Sequence, residues 1–469
     1  MMLAEVTAGA RLDRALALLA EGLPALAASF AVTLAVVPIV RRIAHATDVV
    51  DKPDMVRKLH GRTVAYLGGV GIFMGVFMGI LANAIFARGE MADLPPVPFS
   101  VVLGMVAITF TGLADDIWKF DARLKIAGQL VAAAALAIDD IGVNVAYGLL
   151  APILGAPDHV LLHLGGFAVN NGHIFYWVGT GLVALFVIGG ANAANLLDGL
   201  DGLLSGISAI MCIGLLALSV AIVFALPPDM SDVTVAARSM AGVRIVLAMA
   251  LLGSCLGFLV YNFNPASIFL GDAGSLLIGF LSVTIIMTFA NLQPFANPYV
   301  VRATEVAATA LPGAPPSITA GYDGYSTLLV MCGLAMFGLP LLDTSLSIIR
   351  RRRAGVPFST PDANHLHHRF KRHFGGSVRM AVGALYGVEA LLCVVGLGTG
   401  LFLLLVGGKL LWPFLFLVAA FCFALTVFMR GSGVAPTVAP AKTPAPMPAS
   451  SASPAAPAPG PLQQTSHGE

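Results

Sequence analysis

Residues 203–226 read LLSGISAIMCIGLLALSVAIVFAL, twenty-four consecutive residues without a charged side chain. A helix needs about 20 mostly apolar residues to cross the hydrocarbon core of a bilayer. Working outward, ten further stretches are apolar over comparable lengths: 22–44, 66–87, 98–114, 123–141, 175–192, 241–261, 274–293, 326–349, 380–404 and 409–430. Helices are the expected form, because backbone in lipid must satisfy its own hydrogen bonds. The whole chain is 58% hydrophobic and 11% charged, against about 25% charged in a soluble domain. The expectation is an all-α polytopic membrane protein with about eleven transmembrane helices.

The charges set an orientation. Connections after the first, third, fifth, seventh and ninth stretches, with their flanks, hold 17 Lys and Arg, among them Arg57, Lys58, Lys119, Lys125 and Arg350 to Arg353. The opposite connections hold five: Arg88, Arg238, Arg244, Arg302 and Lys409. Cytoplasmic loops collect Lys and Arg, so the N-terminus is expected outside and the C-terminus inside. A net charge of +1 gives no reason to expect nucleic acid. No short apolar run followed by a small-residue cleavage site opens the chain, so the N-terminal segment is expected to be retained. Three parts are expected: an N-terminal segment 1–21, a transmembrane domain 22–430, and a disordered Ala/Pro/Ser-rich tail 431–469.

Several features read as packing or surface. The five cysteines lie in apolar stretches without CxxC spacing and behave as small apolar filler. Gly71, Gly75 and Gly79, four residues apart, predict close helix packing. The outer loop 142–174 has no Lys or Arg. Its segment from Gly166 to Phe175 predicts a small periplasmic hairpin with Asn171-Gly172 as the turn. Its histidines, His159, His163 and His173, lack ligand spacing.

Acids gather where helices leave the bilayer. They are Asp115 and Asp116 in ADDIWK (114–119), Asp198 and Asp201 in NAANLLDGLDG (192–202), and Asp272 in NFNPASIFLGDAGS (262–275). A single aspartate there reads as a cap or as solvated surface; five of them do not. Asn192, Asn195 and Asp198 share one face if the helix continues through them. Gly199, Gly202, Gly271 and Gly274 would let a ligand approach the backbone. Asp272 sits at a helix start, where free N–H groups attract anions. Clustered carboxylates raise one another's pKa, and a divalent cation removes that conflict. Mg²⁺ commonly takes one or two carboxylates plus substrate phosphates, so the acids imply a metal and the metal implies a phosphate. Lys119 and Lys125 flank the Asp pair. Arg57, Lys58 and His60 stand in RKLHGR (57–62), ahead of Gly68-Gly69, and His365, His367 and His368 in HLHHR (365–369). With no Cys nearby and hard-cation chemistry elsewhere, the histidines fit phosphate contact or a proton role better than zinc.

In this order and between these helices, the five motifs resemble the polyprenyl-phosphate N-acetylhexosamine-1-phosphate transferase family, glycosyltransferase family 4, over roughly residues 22–430. Each motif alone is weak and the ordered set is specific. The resemblance implies transfer of a sugar 1-phosphate from a UDP-sugar to undecaprenyl phosphate with release of UMP. It also implies a requirement for Mg²⁺, with Mn²⁺ as an alternative. One branch of the family uses UDP-MurNAc-pentapeptide and carries adjacent histidines; the other uses UDP-N-acetylhexosamines and carries His-x-His-His. His365-Leu366-His367-His368 resembles the second, as does the stretch from Asp343 to Arg350. The stretch from Pro357 to Asp362 matches the family imperfectly, which bears on the sugar and not on the reaction. The expected product is the first lipid-linked sugar of O-antigen, capsule or wall polymer.

By the same resemblance Asp272 is the metal ligand, and Asp115 and Asp116 form the catalytic pair near the lipid phosphate. Asp198, also taken as catalytic, and Asn195 touch the nucleotide-sugar, with Asp201 beside them. Asn262 and Phe269 meet the uridine, the three histidines meet the diphosphate, and Lys58, Lys119 and Lys125 hold substrate charge. The protein is expected in the bacterial inner membrane, with its active end cytoplasmic and the lipid bilayer as partner; a homodimer is compatible.

A phosphate monoester has its second pKa near about 6, so it arrives ionised and needs positioning more than activation. Direct in-line attack is therefore favoured over a covalent phospho-aspartate. A transporter is the rival outside enzymes, but it would place ionisable groups near the midplane. Only Glu389 lies there, and it belongs to none of the motifs. A soluble-type prenyl synthase would need an Asp where Lys119 stands. A CDP-alcohol transferase would need Ala-Arg after Asp198-Gly199.

Overall fold

The computed structural model describes residues 2–51, 63–87, 96–225 apart from 156, 158, 165 and 166, 240–291, 325–357 and 364–406, with 419, 422 and 426. The long helices are α1 (Met2–Ala46), α2 (Gly68–Phe86), α3 (Phe99–Trp118), α4 (Ala122–Ile138), α6 (Asn171–Leu197) and α7 (Leu203–Ala225). After them come α8 (Ala241–Asn262), α9 (Gly271–Met287), the pair α10 (Tyr325–Met336) and α11 (Gly338–Arg353), and α13 (Val378–Val406). Six short pieces decorate them: α5 (Val145–Leu154), α12 (Leu366–His373), and the strands β1 (Val50–Asp51), β2 (Val64–Ala65), β3 (Val160–Leu164) and β4 (Phe167–Asn170). β1 pairs with β2 and β3 with β4, both antiparallel. Among the described residues, eight helices are long and apolar enough to cross a membrane, or nine if α10 and α11 count as one span. The chain is an all-α multi-pass membrane protein.

α9 is the axis. Its apolar window is wholly buried, and it packs against α2, α3, α6, α7, α8 and α10. A thin turn, Thr288–Asn291, continues it. Asn291 pins that far end, accepting from Gly142 N at 2.7 Å and donating to Asp140 O at 2.9 Å. Two buried hydroxyls of α9 are satisfied within the helix: Ser282 donates to Ile278 O at 2.7 Å and Thr284 to Phe280 O at 2.8 Å. Such back-bonding keeps polar groups compatible with an apolar interior.

The glycine row of α2 behaves as its spacing predicts. A Cβ on Gly79 would meet Ala25 O at 2.7 Å and one on Gly71 would meet Val37 at 2.6 Å, so α2 lies backbone-close on α1. Thr33 donates to Gly71 O at 3.4 Å across that seam.

Three expectations are corrected. The apolar stretch 326–349 is not one straight helix: α10 and α11 meet at a 78° bend. Pro340 lies in the first turn of α11, where it has no amide to lose. Arg244 is no loop residue; it is fully buried in α8, donating to Thr288 O at 3.1 Å with its guanidinium 4.9 Å from the Phe289 ring. A hairpin does occupy the connection between α5 and α6, but Asn171-Gly172 is not its turn. Those residues open α6, where Asn170 accepts from His173 N and His173 Nδ1 accepts in return, a capping box. The segment set apart as 1–21 is helical from Met2 onward, as part of α1. The eleventh stretch, 409–430, lies almost wholly outside the described residues, as do the tail, Arg57, Lys58 and His60.

Glu389 is fully buried in α13. Its carboxylate faces the Leu339 amide in the first turn of α11.

Candidate functional site

Four of the five motifs meet around the first turn of α9. Helix α3 ends there with Asp115 and Asp116, both buried. Helix α6 does continue through Asn192 and Asn195, and Asp198 caps its end. The Gly68-Gly69 pair is zipped to the segment before α9. Phe269 N donates to Ala65 O, Gly68 N to Phe269 O and Gly69 N to Leu270 O, at 2.8, 3.0 and 2.8 Å.

At the centre Lys125, from the first turn of α4, lies between two acids. Its Nζ is 2.8 Å from Asp115 Oδ2 and pairs also with Asp272 Oδ2. Asn195 Nδ2 donates to Asp272 Oδ1 and Ser275 Oγ at 2.8 and 2.9 Å. Asp198 stands close by. Burial, then repulsion from Asp272, Asp116 and Asp201, pushes its carboxyl up to about 7.

Asp116 has a distinct task. Its two oxygens accept the amides of Asp272 and Ala273 at 2.9 and 3.1 Å. The N-terminus of α9 has no side-chain cap of its own, so Asp116 supplies one from another helix. The free N–H groups expected to hold an anion are therefore occupied by the protein, at least at these two positions. Gly271 makes room for this: its φ is +71°, and a Cβ there would meet Asp116 Oδ2 at 2.6 Å.

The other glycines also serve neighbours in the chain. A Cβ on Gly69 would overlap the backbone of Ala273 and Gly274, and one on Gly199 would overlap the His367 ring. The second contact joins the last motif to the acid loop. His367 is buried, and burial with the neighbouring His368 drives its pKa down to about 3. His368 is lowered by burial as well. Both are therefore neutral near pH 7. His365 Nδ1 lies 2.9 Å from Asp343 Oδ2.

Several expected residues are held by the protein itself. Asp201 Oδ2 accepts from Asn264 Nδ2 at 2.8 Å and Ala266 N at 3.0 Å. Asn262 accepts from Gly202 N and donates to Ile268 O, both at 3.0 Å. Phe269 is half-buried, edge-on to Tyr66 at 6.0 Å between centroids, and the exposed Lys119 lies 5.5 Å over the same tyrosine. Asn192 turns to Gln129 Oε1 at 2.8 Å and leaves the acid cluster to Asn195. Tyr66, Gln129 and Ser275 carry no motif signal of their own, and Asp343 stands out only as part of the stretch from Asp343 to Arg350. An aspartate inside an apolar run is itself a signal.

The donor set suits a hard divalent cation. Among the described residues no three His, Cys, Asp or Glu side chains stand close enough to hold an ion unaided. Two acids already share one positive charge, and Mg²⁺ typically takes one or two carboxylates with phosphates and waters completing its shell. Asp115 and Asp272 fit that pattern.

Residues 98–290 match the family model described as Glycosyl transferase family 4. The "Probable undecaprenyl-phosphate N-acetylglucosaminyl 1-phosphate transferase" of Bacillus subtilis is 29% identical over 403 residues, 86% of this chain and 88% of its own. The "Decaprenyl-phosphate N-acetylglucosaminephosphotransferase" of Mycobacterium leprae is 33% identical over 334 residues, 70% of this chain and 72% of its own. A "Phospho-N-acetylmuramoyl-pentapeptide-transferase" of Desulforudis audaxviator is 33% identical over 279 residues, 56% of this chain and 75% of its own.

Proposed function

The chain belongs to glycosyl transferase family 4, and from that premise we propose that it transfers N-acetylglucosamine 1-phosphate from UDP-N-acetylglucosamine to undecaprenyl phosphate, releasing UMP. The observation that carries this is the sharing of Lys125 by Asp115 and Asp272 at the helix start where the motifs meet. It makes a place where two phosphates can be brought together against paired acids. The product begins a cell-envelope polysaccharide. The His-x-His-His spacing favours a hexosamine donor over the muramoyl-pentapeptide one.

In this reading Asp272, with Asp115, holds Mg²⁺. Bound there, the ion neutralises phosphate charge and polarises the phosphorus–oxygen bonds. Asp115 orients the lipid phosphate and takes any proton it still carries. Lys125 swings from the acids to substrate oxygens as these arrive. His367 is neutral and meets the diphosphate as a hydrogen-bonding group, not as a cation. Asp198 and Asn195 fix the nucleotide-sugar, Phe269 lines the uridine side, and Asp116 holds the amides that set the position of Asp272. Attack is direct and in line, because the nucleophile is already ionised. The active end faces the cytoplasm of a bacterial inner membrane, supported by 17 basic residues near that side. The expected eleven spans correspond to the eight long helices, the bent pair, α4 and the apolar stretch 409–430, which lies almost wholly outside the described residues.

The test is purified protein with undecaprenyl phosphate, Mg²⁺ and a panel of UDP-sugars. UMP release with UDP-N-acetylglucosamine, requiring both lipid and metal, supports the reading. Release with none of the donors refutes it.

A further inference from the structure

Asp343 lies in the middle of α11 and is fully buried. Its two oxygens do different things. Oδ1 accepts the Leu366 amide at 2.7 Å, and Oδ2 lies 2.9 Å from His365 Nδ1. The first bond starts α12, which has no side-chain cap of its own. The second is not needed to start a helix; it turns a ring. A carboxylate only accepts, so the hydrogen of this bond sits on Nδ1, and Nε2 is left on the opposite side of the imidazole. The His365 ring lies nearly parallel to the His367 ring, 8° apart and 5.6 Å between centroids. The His367 ring in turn rests against Gly199, next to Asp198. A continuous path of contacts therefore runs from a residue deep in α11 to the loop of site acids.

We propose that Asp343 is a positioning residue of the transferase: it fixes the tautomer and orientation of His365, and through it the face that the histidines present to the substrate diphosphate. This rests on the transferase reading above. The arrangement follows a general rule, in which a histidine's working nitrogen is aimed by what its other nitrogen holds. An ordinary helix cap would need Oδ1 alone. The bend before α11 adds to the case, because it lets a carboxylate from an otherwise apolar stretch reach the start of α12 at the end of the bundle.

The experiment compares Asp343→Asn, Asp343→Glu, His365→Ala and the double variant Asp343→Asn/His365→Ala in full-length detergent-solubilised protein. UMP release is measured against varied UDP-N-acetylglucosamine and varied undecaprenyl phosphate. Asp343→Asn is expected to raise the KM for the UDP-sugar about tenfold or more, with kcat and the lipid KM changed much less. Asp343→Glu recovers part of the loss, and the double variant is no worse than His365→Ala. A loss of thermal stability with unchanged KM, or losses that multiply in the double variant, would overturn the proposal in favour of a plain cap. A second measurement is independent of turnover: ¹⁵N-histidine spectra, with the His365 signal assigned by its absence in His365→Ala. That signal shifts in Asp343→Asn if Asp343 holds the ring; an unmoved signal overturns the proposal. Wild-type protein that releases no UMP with any donor refutes the transferase reading and the catalytic meaning with it, whereas the nitrogen signal still decides whether Asp343 holds the ring.

Discussion

The starts of α9 and α12 are built by the same device and differ in what they carry. Each begins on a carboxylate supplied by another helix. Asp116 of α3 accepts two consecutive amides of α9, and Asp343 of α11 accepts one amide and one imidazole nitrogen at α12. The α9 start presents Asp272 among other acids. The α12 start presents three histidines, of which His367 and His368 are held neutral at pH 7. Acidity is thus concentrated at one helix start, and neutral hydrogen-bonding groups at the other. The lesson is that two adjacent motif acids can take different tasks: Asp116 caps a helix, while Asp115 shares Lys125 with Asp272.

The largest expected effect separates presenter from presented. Asp272→Asn leaves the Asp116 cap intact and removes a charged ligand, so turnover falls by about 100-fold or more. Titrating Mg²⁺ against the variant checks it; an unchanged rate at an unchanged Mg²⁺ optimum would break the contrast at its acidic end.

Next comes the cap itself. Asp116→Ala leaves two amides without their charged acceptor and costs about 3 kcal/mol of stability or more. Asp343→Ala removes one amide bond and one ring bond and costs about 2 kcal/mol. Thermal unfolding in detergent ranks the two. Equal losses would mean that the second amide at α9 adds nothing.

Asp198 sharpens the acidic half of the comparison. Its pKa rises from the ordinary 3.8 to about 7, so the fold favours its protonated form. That contribution is fully present below about pH 4 and is lost as pH rises through 7. Asp198→Asn, which mimics the protonated acid, stabilises the metal-free protein by on the order of 2 kcal/mol at pH 8, and progressively less towards pH 4. Unfolding midpoints across that range test the sign, and a variant equally stabilised at every pH would contradict it.

The last test changes no rate by design. Enzyme with UDP-sugar alone is expected to release no stoichiometric burst of UMP, and initial-rate lines at varied substrate ratios are expected to intersect. A lipid-independent burst that vanishes in Asp115→Asn, with label from the β-phosphate retained on the protein, would make Asp115 a nucleophile and redraw its difference from Asp116.

Much of this was legible in the chain. Apolar length located the described spans, and four-residue glycine spacing foretold the seam between α1 and α2. The gathering of Asp115, Asn195, Asp198 and Asp272 followed from acids at helix ends. What was hidden has physical causes. Asp115 and Asp116 are adjacent and identical in type, and only partners 156 and 157 residues away tell the cap from its neighbour. Asn171-Gly172 has the chemistry of a tight turn, but Asn170 and His173 close a capping box first. The bend at residue 337 was written in Gly338-Leu339-Pro340, but an apolar run masks a break when length alone is counted. The partners of Asp343 lie in a helix of its own, beyond the reach of periodicity.

One consequence follows from the enclosure of α9. A helix whose apolar window is entirely covered by other helices has no stake in the thickness of the surrounding bilayer. Hydrophobic mismatch acts by tilting or stretching lipid-facing helices, here ones such as α1 and α13, whose windows are 28% and 39% buried. Strain of that kind reaches Asp272 only after passing through a full layer of packing, with Asn291 anchoring the far end of the same axis. The Asp272 end of α9 is therefore insulated from the mechanics of the membrane that holds the protein, and acyl-chain length in reconstituted vesicles should alter how the protein sits before it alters the surroundings of Asp272.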